Sequence, residues 1–305
     1  MRMPIALALA VALIAAGCHR GGERGDKKRK VVGVSLLTQT HAFYKELEDG
    51  LREEAKARDL ELVVVACEMD PAKQAAQIED FVAQRVDAIL VAPCDSSAIG
   101  PHLAGPERAK IPVFSVDIAV RTANVISHVA SDNVQGGRLA AQTMATLIGG
   151  KGNVLIIDHP DVASVQDRTR GFDEAMKSHP GITIVGRPAG GGQRARAMAV
   201  MEDMLQAHRD LSGVFGINDD SALGATAVLE AAGRKDIVVV GYDATAEAQA
   251  VIRRGGPLKA DVVQYPGKIG RIAIDIIARF LGGEKVEPLV AVEVGVVDAA
   301  ALAKQ

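Results

Sequence analysis

Val31-Val32-Gly33-Val34-Ser35-Leu36, then Phe43–Arg58, then Leu60-Glu61-Leu62-Val63-Val64-Val65-Ala66 is the stretch that decides the fold of this 305-residue chain. Two short β-branched apolar runs flank a segment in which Leu47, Leu51 and Ala55 recur at helical spacing. Runs with so few polar interruptions suit parallel strands covered on both faces, joined by a right-handed helical crossover. The alternation continues through Ala88–Ala92, Pro112–Val116, Val125–Val129, Asn153–Ile157, Ile182–Val185, Gly213–Ile217, Ile237–Gly241 and Lys259–Val263. Helical patterns fall between them at Pro71–Arg85, Val134–Ile148, Ser164–Ser178 and Arg194–His208, with Asp70-Pro71 reading as a cap followed by proline at the first helical position. The pattern runs once before about Ala130–Asn133 and once after it. The fold class is therefore α/β, with two doubly wound parallel-sheet domains.

Composition agrees with a packed protein, with 48% hydrophobic and 24% charged residues. A formal net charge of -3 offers no basic field for nucleic acid. The one cationic run, Lys27-Lys28-Arg29-Lys30, reads as a solvated linker.

The first thirty residues point outward from the cytoplasm. Arg2 precedes an apolar run from Ile5 to Ala16 that is too short for a bilayer, which needs about 20 residues, and that ends in small side chains. Residues 1–17 are expected to be an export signal. Ala15-Ala16-Gly17-Cys18 resembles a bacterial lipobox, in which the cysteine takes a diacylglycerol and becomes the mature N-terminus. Ala15 stands where that motif usually has Leu. Residues 18–30 are expected to be a tether, and Cys18 the lipidation site. Cys67 and Cys94 remain. Each follows a buried strand, and those strands are expected to lie two apart, about 9–10 Å, beyond the roughly 7 Å Cα limit for a bridge. Free, partly buried thiols are expected.

Ligands of doubly wound sheets sit beyond the carboxyl ends of the strands. Those ends here are Thr38-Gln39-Thr40-His41-Ala42-Phe43-Tyr44, Asp117, Asn218-Asp219-Asp220, Tyr242-Asp243 and Gln264-Tyr265. Of nine aromatic residues, Phe43, Tyr44, Tyr242 and Tyr265 fall in these turns. Carboxylates and amides beside rings suit a sugar: the oxygens pair with vicinal hydroxyls and the rings cover C–H faces. Any single strand-end Asp or Asn is otherwise a helix cap; the convergence carries the functional reading.

At this point the sequence resembles the type I periplasmic sugar-binding proteins of ABC importers, near the ribose-binding proteins. The resemblance spans nearly the whole mature chain. It rests on the collinear series Asp49-Gly50, Asp70-Pro71-Ala72-Lys73, Val86-Asp87-Ala88-Ile89, Ile111-Pro112-Val113, Ser131-Asp132-Asn133-Val134, Asn218-Asp219, Ala222-Leu223-Gly224-Ala225 and Gly241-Tyr242-Asp243. It implies two lobes, 31–130 plus 266–291 and 131–265 plus 292–305, crossed near Val129–Ser131, Gln264–Pro266 and Ala291–Val292. It implies a ligand set of His41, Phe43, Tyr44, Asp117, Gln166, Asn218, Tyr242, Asp243 and Gln264, with Ser35 as a weaker member. An Arg of the ribose binders aligns with Gln166, another with Ile118, and an aromatic wall with Gly191. Losing two guanidinium groups argues against ribose itself. Arg168 could substitute in part, although an Arg on a helix is more often a surface residue. The resemblance further implies permease subunits as partners, a membrane reached through the N-terminal lipid, no cofactor, no metal and no nucleic acid. A monomer is expected.

An enzyme is the first rival, with His41, His128 and His159 as candidate bases. No G-x-S-x-G, H-E-x-x-H or Walker loop accompanies them. A repressor effector domain of the same fold would carry a helix-turn-helix where this chain has its leader. A tethered receptor presenting a small signalling molecule, such as a furanosyl autoinducer, to a sensor protein keeps the fold and changes the partner.

Overall fold

The structure, a computed structural model, describes residues 29–304. The expected export signal, Cys18 and the expected tether up to residue 28 lie outside the described residues. The elements run β1 (Lys30–Leu36), α1 (Ala42–Ala57), β2 (Leu60–Ala66), α2 (Pro71–Gln84), β3 (Ala88–Val91), α3 (Ala104–Ala109), β4 (Val113–Val116) and β5 (His128–Ser131). Then come α4 (Asn133–Leu147), β6 (Gly152–Ile157), α5 (Ala163–Met176), β7 (Ile182–Gly186), α6 (Arg194–Ala207), β8 (Leu211–Gly216), α7 (Asp219–Ala231) and β9 (Val238–Asp243). The chain ends with α8 (Ala246–Arg254), β10 (Leu258–Val263), α9 (Pro266–Leu281), β11 (Leu289–Val292), β12 (Gly295–Asp298) and α10 (Ala299–Leu302).

Two six-stranded sheets result, ordered β11-β5-β4-β3-β1-β2 and β12-β10-β9-β8-β6-β7. Every strand pair is parallel except β10 with β12. Both sheets reverse direction of winding at one place, between β1 and β3 and between β6 and β8, and such switch points open a crevice at the strands' carboxyl ends. The chain passes between sheets three times: from β5 into α4, from β10 into α9, and across Glu293–Val294 from β11 to β12. Because α9 begins with Pro266 directly after β10, it returns to the first sheet and lies along α1. Gly50 and Gly270 allow that approach, since a Cβ on either would collide with the backbone of the other helix. α4 and α5 pack in the same manner through Gly137 and Gly171.

Each sheet is sealed by large apolar side chains, with Phe114 edge-on to Phe280 at 5.5 Å and Phe172 stacked on Phe215 at 4.9 Å. Burying each such side chain stabilises the lobes by about 1.5–3 kcal/mol. Among the described residues no helix is long and apolar enough to cross a membrane.

Three sequence expectations are corrected. β11 and β12 are additional strands; each has only four residues and its exposure alternates, so neither forms a continuous apolar run. β5 begins at His128, because Ile126 and Ser127 bond singly to β4 before the ladder starts. Cys67 and Cys94 form a disulfide, with a Cα–Cα distance of 7.0 Å. β1 does separate β2 from β3, as the two-strand spacing required. But Cys67 lies one residue beyond β2 and Cys94 three beyond β3, and both turns fold over the end of β1, where Cys67 N donates to Leu36 O.

Candidate functional site

The carboxyl ends of the two sheets face each other across a cleft of about 470 Å³, counting its open mouth. Thr38, His41, Phe43, Tyr44, Met69, Asp117 and Ile118 line it from the first lobe. His159, Val162, Ser164, Val165, Arg168, Gly192, Ile217, Asn218 and Asp243 line it from the second, and Gln264 from a passage between them.

His41 is the N-cap of α1, its Nδ1 accepting from Phe43 N at 3.1 Å. With Nδ1 an acceptor, the neutral ring carries its proton on Nε2, which lies 3.5 Å from Asp243 Oδ2 and 3.9 Å from Asp220 Oδ2 of the opposite lobe. The cap sets the first helical turn so that Phe43 and Tyr44 meet edge to face at 5.3 Å. Tyr44 Oη donates to Asp117 Oδ2 at 2.6 Å. Asp117 follows β4 with φ +62 and is buried, and its Oδ1 has no partner. Burial pushes its carboxyl up to about 6, although Arg168 and the Tyr44 hydroxyl favour the charged form. The Tyr44 hydroxyl is driven up by its own burial and by Asp117.

In the second lobe Asp243 ends β9 with φ +126. Its Oδ1 accepts from Gln264 Nε2 at 2.6 Å and its Oδ2 from Asp219 N at 3.3 Å. It is not the N-cap of the helix that follows it: Thr245 caps α8. Gln264 Oε1 is buried without a partner. Asn218 is the N-cap of α7, its Oδ1 accepting from Ser221 N at 2.9 Å while Nδ2 donates to Gly192 O at 3.0 Å. Gly192 holds φ +66, and a Cβ there would press on both His159 and Asn218.

Arg168 is buried, contrary to the expectation for an Arg on a helix. Its Nε donates to Asn133 Oδ1 at 2.9 Å, its Nη1 to Ile217 O at 2.7 Å, and its guanidinium lies 3.9 Å over the Tyr242 ring. Gln166 is exposed instead, with Nε2 on Pro160 O. Two positions along an α-helix turn about 200°, so 166 and 168 face opposite ways, and α5 points Ser164, Val165 and Arg168 inward. A guanidinium therefore does line the cleft, from position 168 rather than 166. Tyr242 is wholly buried behind it, Oη 3.3 Å from Asn133 Oδ1, and does not line the cleft. Ser35 is also sealed away on β1, bonded to Gln74 and Gln77. Gly191 has Arg196 nearby and no aromatic ring.

Met69 and Ser164 escaped the sequence reading, while Thr38 stands in the first strand-end run without a ligand role and His159 only as a candidate base. His159 directly follows β6 and Asp158, so the strand-end rule reaches it; burial lowers its pKa. His128 starts β5, at the opposite end of the sheet, bonded to Ser115 and pushed down to about 4 by burial. Among the described residues no group of His, Cys, Asp and Glu could hold a metal.

The lobes touch along one rim. Ser96 Oγ accepts from Ala163 N at 2.8 Å, Ser96 N donates to Asp161 O at 3.1 Å, and Arg121 pairs with Asp167 at 3.2 Å. Gln193 Nε2 reaches Met69 Sδ at 2.9 Å.

Residues 32–285 match the model of the periplasmic binding protein domain. The chain belongs to that family. This periplasmic binding protein is 34% identical to the ribose import binding protein RbsB of Bacillus subtilis (strain 168), over 86% of this chain and 85% of the relative. It is 31% identical to the xylitol-binding protein of Mycolicibacterium smegmatis, over 82% and 72% of the two chains. A solved periplasmic solute-binding protein of an ABC transporter from Actinobacillus succinogenes 130z, with bound D-allose, superposes with a TM-score of 0.84 at 28% identity, covering 91% of this chain and all of that one. The family is one of extracytoplasmic sugar and polyol solute-binding proteins of ABC importers, which carry a ligand and do not transform it.

Proposed function

We propose that this periplasmic binding protein captures a neutral monosaccharide or polyol in the cleft and presents it to an importer's permease. The carrying observation is the pair of buried acceptors without donors, Asp117 Oδ1 and Gln264 Oε1, in a cleft that also holds the Arg168 guanidinium and the Phe43 ring. A buried acceptor left unpaired costs about 1–3 kcal/mol, and ligand hydroxyls supply the missing donors. His41, Phe43, Tyr44, Asp117, Arg168, Asn218, Asp243 and Gln264 form the ligand shell in this reading. Tyr242 acts from behind Arg168, and Gln166 takes no part. The lobes, 31–130 with 266–291 and 131–265 with 292–305, swing about the three passages, and closure buries the ligand while forming the permease surface. A lipid on Cys18 holds the protein to its membrane.

Calorimetry against D-ribose, D-allose, xylitol, D-apiose and myo-inositol tests the reading, with amino acids and dicarboxylates as controls. One of the hydroxylated ligands is expected to bind with micromolar affinity or better. Binding confined to a charged control overturns the assignment.

A further inference from the structure

Beneath Asp243 two carboxyl groups are buried with no cation in contact. Asp219, the first residue of α7, is 1% exposed, and Asp261 on β10 is 0% exposed. Asp219 Oδ2 accepts from Thr245 N at 2.7 Å, and Asp261 Oδ1 accepts from Ala244 N at 3.3 Å. With the bond from Asp219 N to Asp243 Oδ2, the pair grips three consecutive residues, 243–245. Two of these, Asp243 and Ala244, hold positive φ values of 126° and 55°, which L-residues seldom adopt without support.

The other oxygens, Asp219 Oδ1 and Asp261 Oδ2, have no donor. The two carboxyl groups are held side by side, on the adjacent amides of Ala244 and Thr245. Gly241, the register partner of Asp261 on β9, leaves the space: a Cβ there would stand 2.7 Å from Asp261 Oδ2. Two facing carboxylates cannot both stay ionised in such a place, whereas one proton between them satisfies both oxygens.

We propose that Asp219 and Asp261 share one buried proton, and that this acid–carboxylate bond positions Asp243 for the ligand. The second half rests on Asp243 being a ligand contact. Asp243 on β9 is the charged group that faces the pair; beyond Asp243 lies His41 across the cleft, while Asp220 of α7 and Glu247 of α8 are both tied to Arg194. Burial, with Asp243 adding repulsion, raises Asp219 to about 7 and Asp261 well above the usual range. Folded values above unfolded ones mean stability that is complete below about pH 4 and lost as pH rises through about 7.

Asp261→Asn tests this. Its amide donates to Asp219 without a titrating proton, and its oxygen still accepts from Ala244. Ligand-free wild type is expected to lose several degrees of melting temperature between pH 5.5 and 8.5, and Asp261→Asn less than half as much; the Asp117 contribution is common to both. Asp219→Asn, the mirror replacement, serves if Asp261→Asn does not fold. For the tightest of the five sugars and polyols named above, Asp261→Ala is expected to bind at least tenfold more weakly at pH 7, and Asp261→Asn within threefold of wild type. Equal pH dependence of melting in wild type and Asn variant overturns the shared proton. Wild-type affinity in a less stable Asp261→Ala overturns the positioning role. If none of the five binds, the ligand assignment fails, while the ligand-free melting comparison still decides the proton.

Discussion

In the proposed ligand shell Asp117 acts as a carboxylate, yet burial raises it from 3.8 to about 6. A shift of roughly two units sets about 3 kcal/mol against the ionised form. Because the folded value is raised, the group's contribution to stability is present below about pH 4 and lost as pH climbs through 6. Binding has the opposite sign, since hydroxyl donors favour the carboxylate. Affinity is therefore expected to fall about tenfold between pH 7.5 and pH 5, where about one molecule in ten is ionised; a flat profile by calorimetry would remove Asp117 from the ligand shell. Asp243 and Asn218 separate at the same scale. Asp243→Ala is expected to weaken binding at least tenfold while the Thr245 cap of α8 survives. Asn218→Ala removes the α7 cap as well, so it is expected to lower stability by about 0.5–2 kcal/mol in addition to affinity. Asp243→Ala binding with wild-type affinity would make that carboxylate a purely internal brace.

Helix α5 and the two rim turns are where element geometry overrides alignment. Gln166→Ala is expected to leave affinity unchanged, whereas Arg168→Lys, which loses the planar fork on Asn133 and Ile217 and the stack on Tyr242, is expected to weaken binding tenfold or more. Equal effects of the two substitutions would place both side chains at the ligand and contradict the helix orientation. The disulfide joins the turn that carries Met69 to the turn that carries Ser96, and both turns touch the other lobe. Closing a loop of sequence separation 27, it is expected to contribute about 3–4 kcal/mol. Cys67→Ser with Cys94→Ser should lower stability by that amount in denaturant unfolding. Peptide mapping without reductant is expected to recover Cys67 joined to Cys94, and two free thiols would overturn the bridge.

Taken whole, the molecule is two lobes that meet through side chains at the cleft and three strands of chain behind it, and in the proposed function ligand binding and lobe closure are one event. The rim contacts from Ser96 and Arg121 carry no ligand chemistry, yet they hold the lobes in register across the site. In the cell the assembly is expected to be membrane-held: Cys18→Ser should shift the full-length protein to the soluble fraction, and labelled palmitate should enter wild type alone. A wild-type protein that takes up no label ends the lipid proposal.

Periodicity alone determined the α/β class, the doubling of the unit and ten of the strands, because buried parallel strands and amphipathic helices write their spacing directly into the order of residues. The strand-end rule likewise located Asp117, Asn218, Asp243 and Gln264, since a doubly wound sheet has only one end where ligands fit. Tertiary structure decided the rest. Which face of α5 turns inward depends on its packing against α4, so Arg168 is buried at the cleft and Gln166 is exposed, the reverse of the expected placement. Tyr242, expected among the ligand contacts, instead lies beneath a guanidinium, because its ring fills the space left by Gly136. Cys67 and Cys94 meet because two turns bend over a strand end, a distance that strand order does not contain. The buried Asp219 and Asp261 are 42 residues apart in sequence, and only the β8-β9-β10 order, which sets the start of α7 against the end of β10, brings their charges together. Local spacing sets elements; charge, burial and contact belong to neighbours that the sequence does not place side by side.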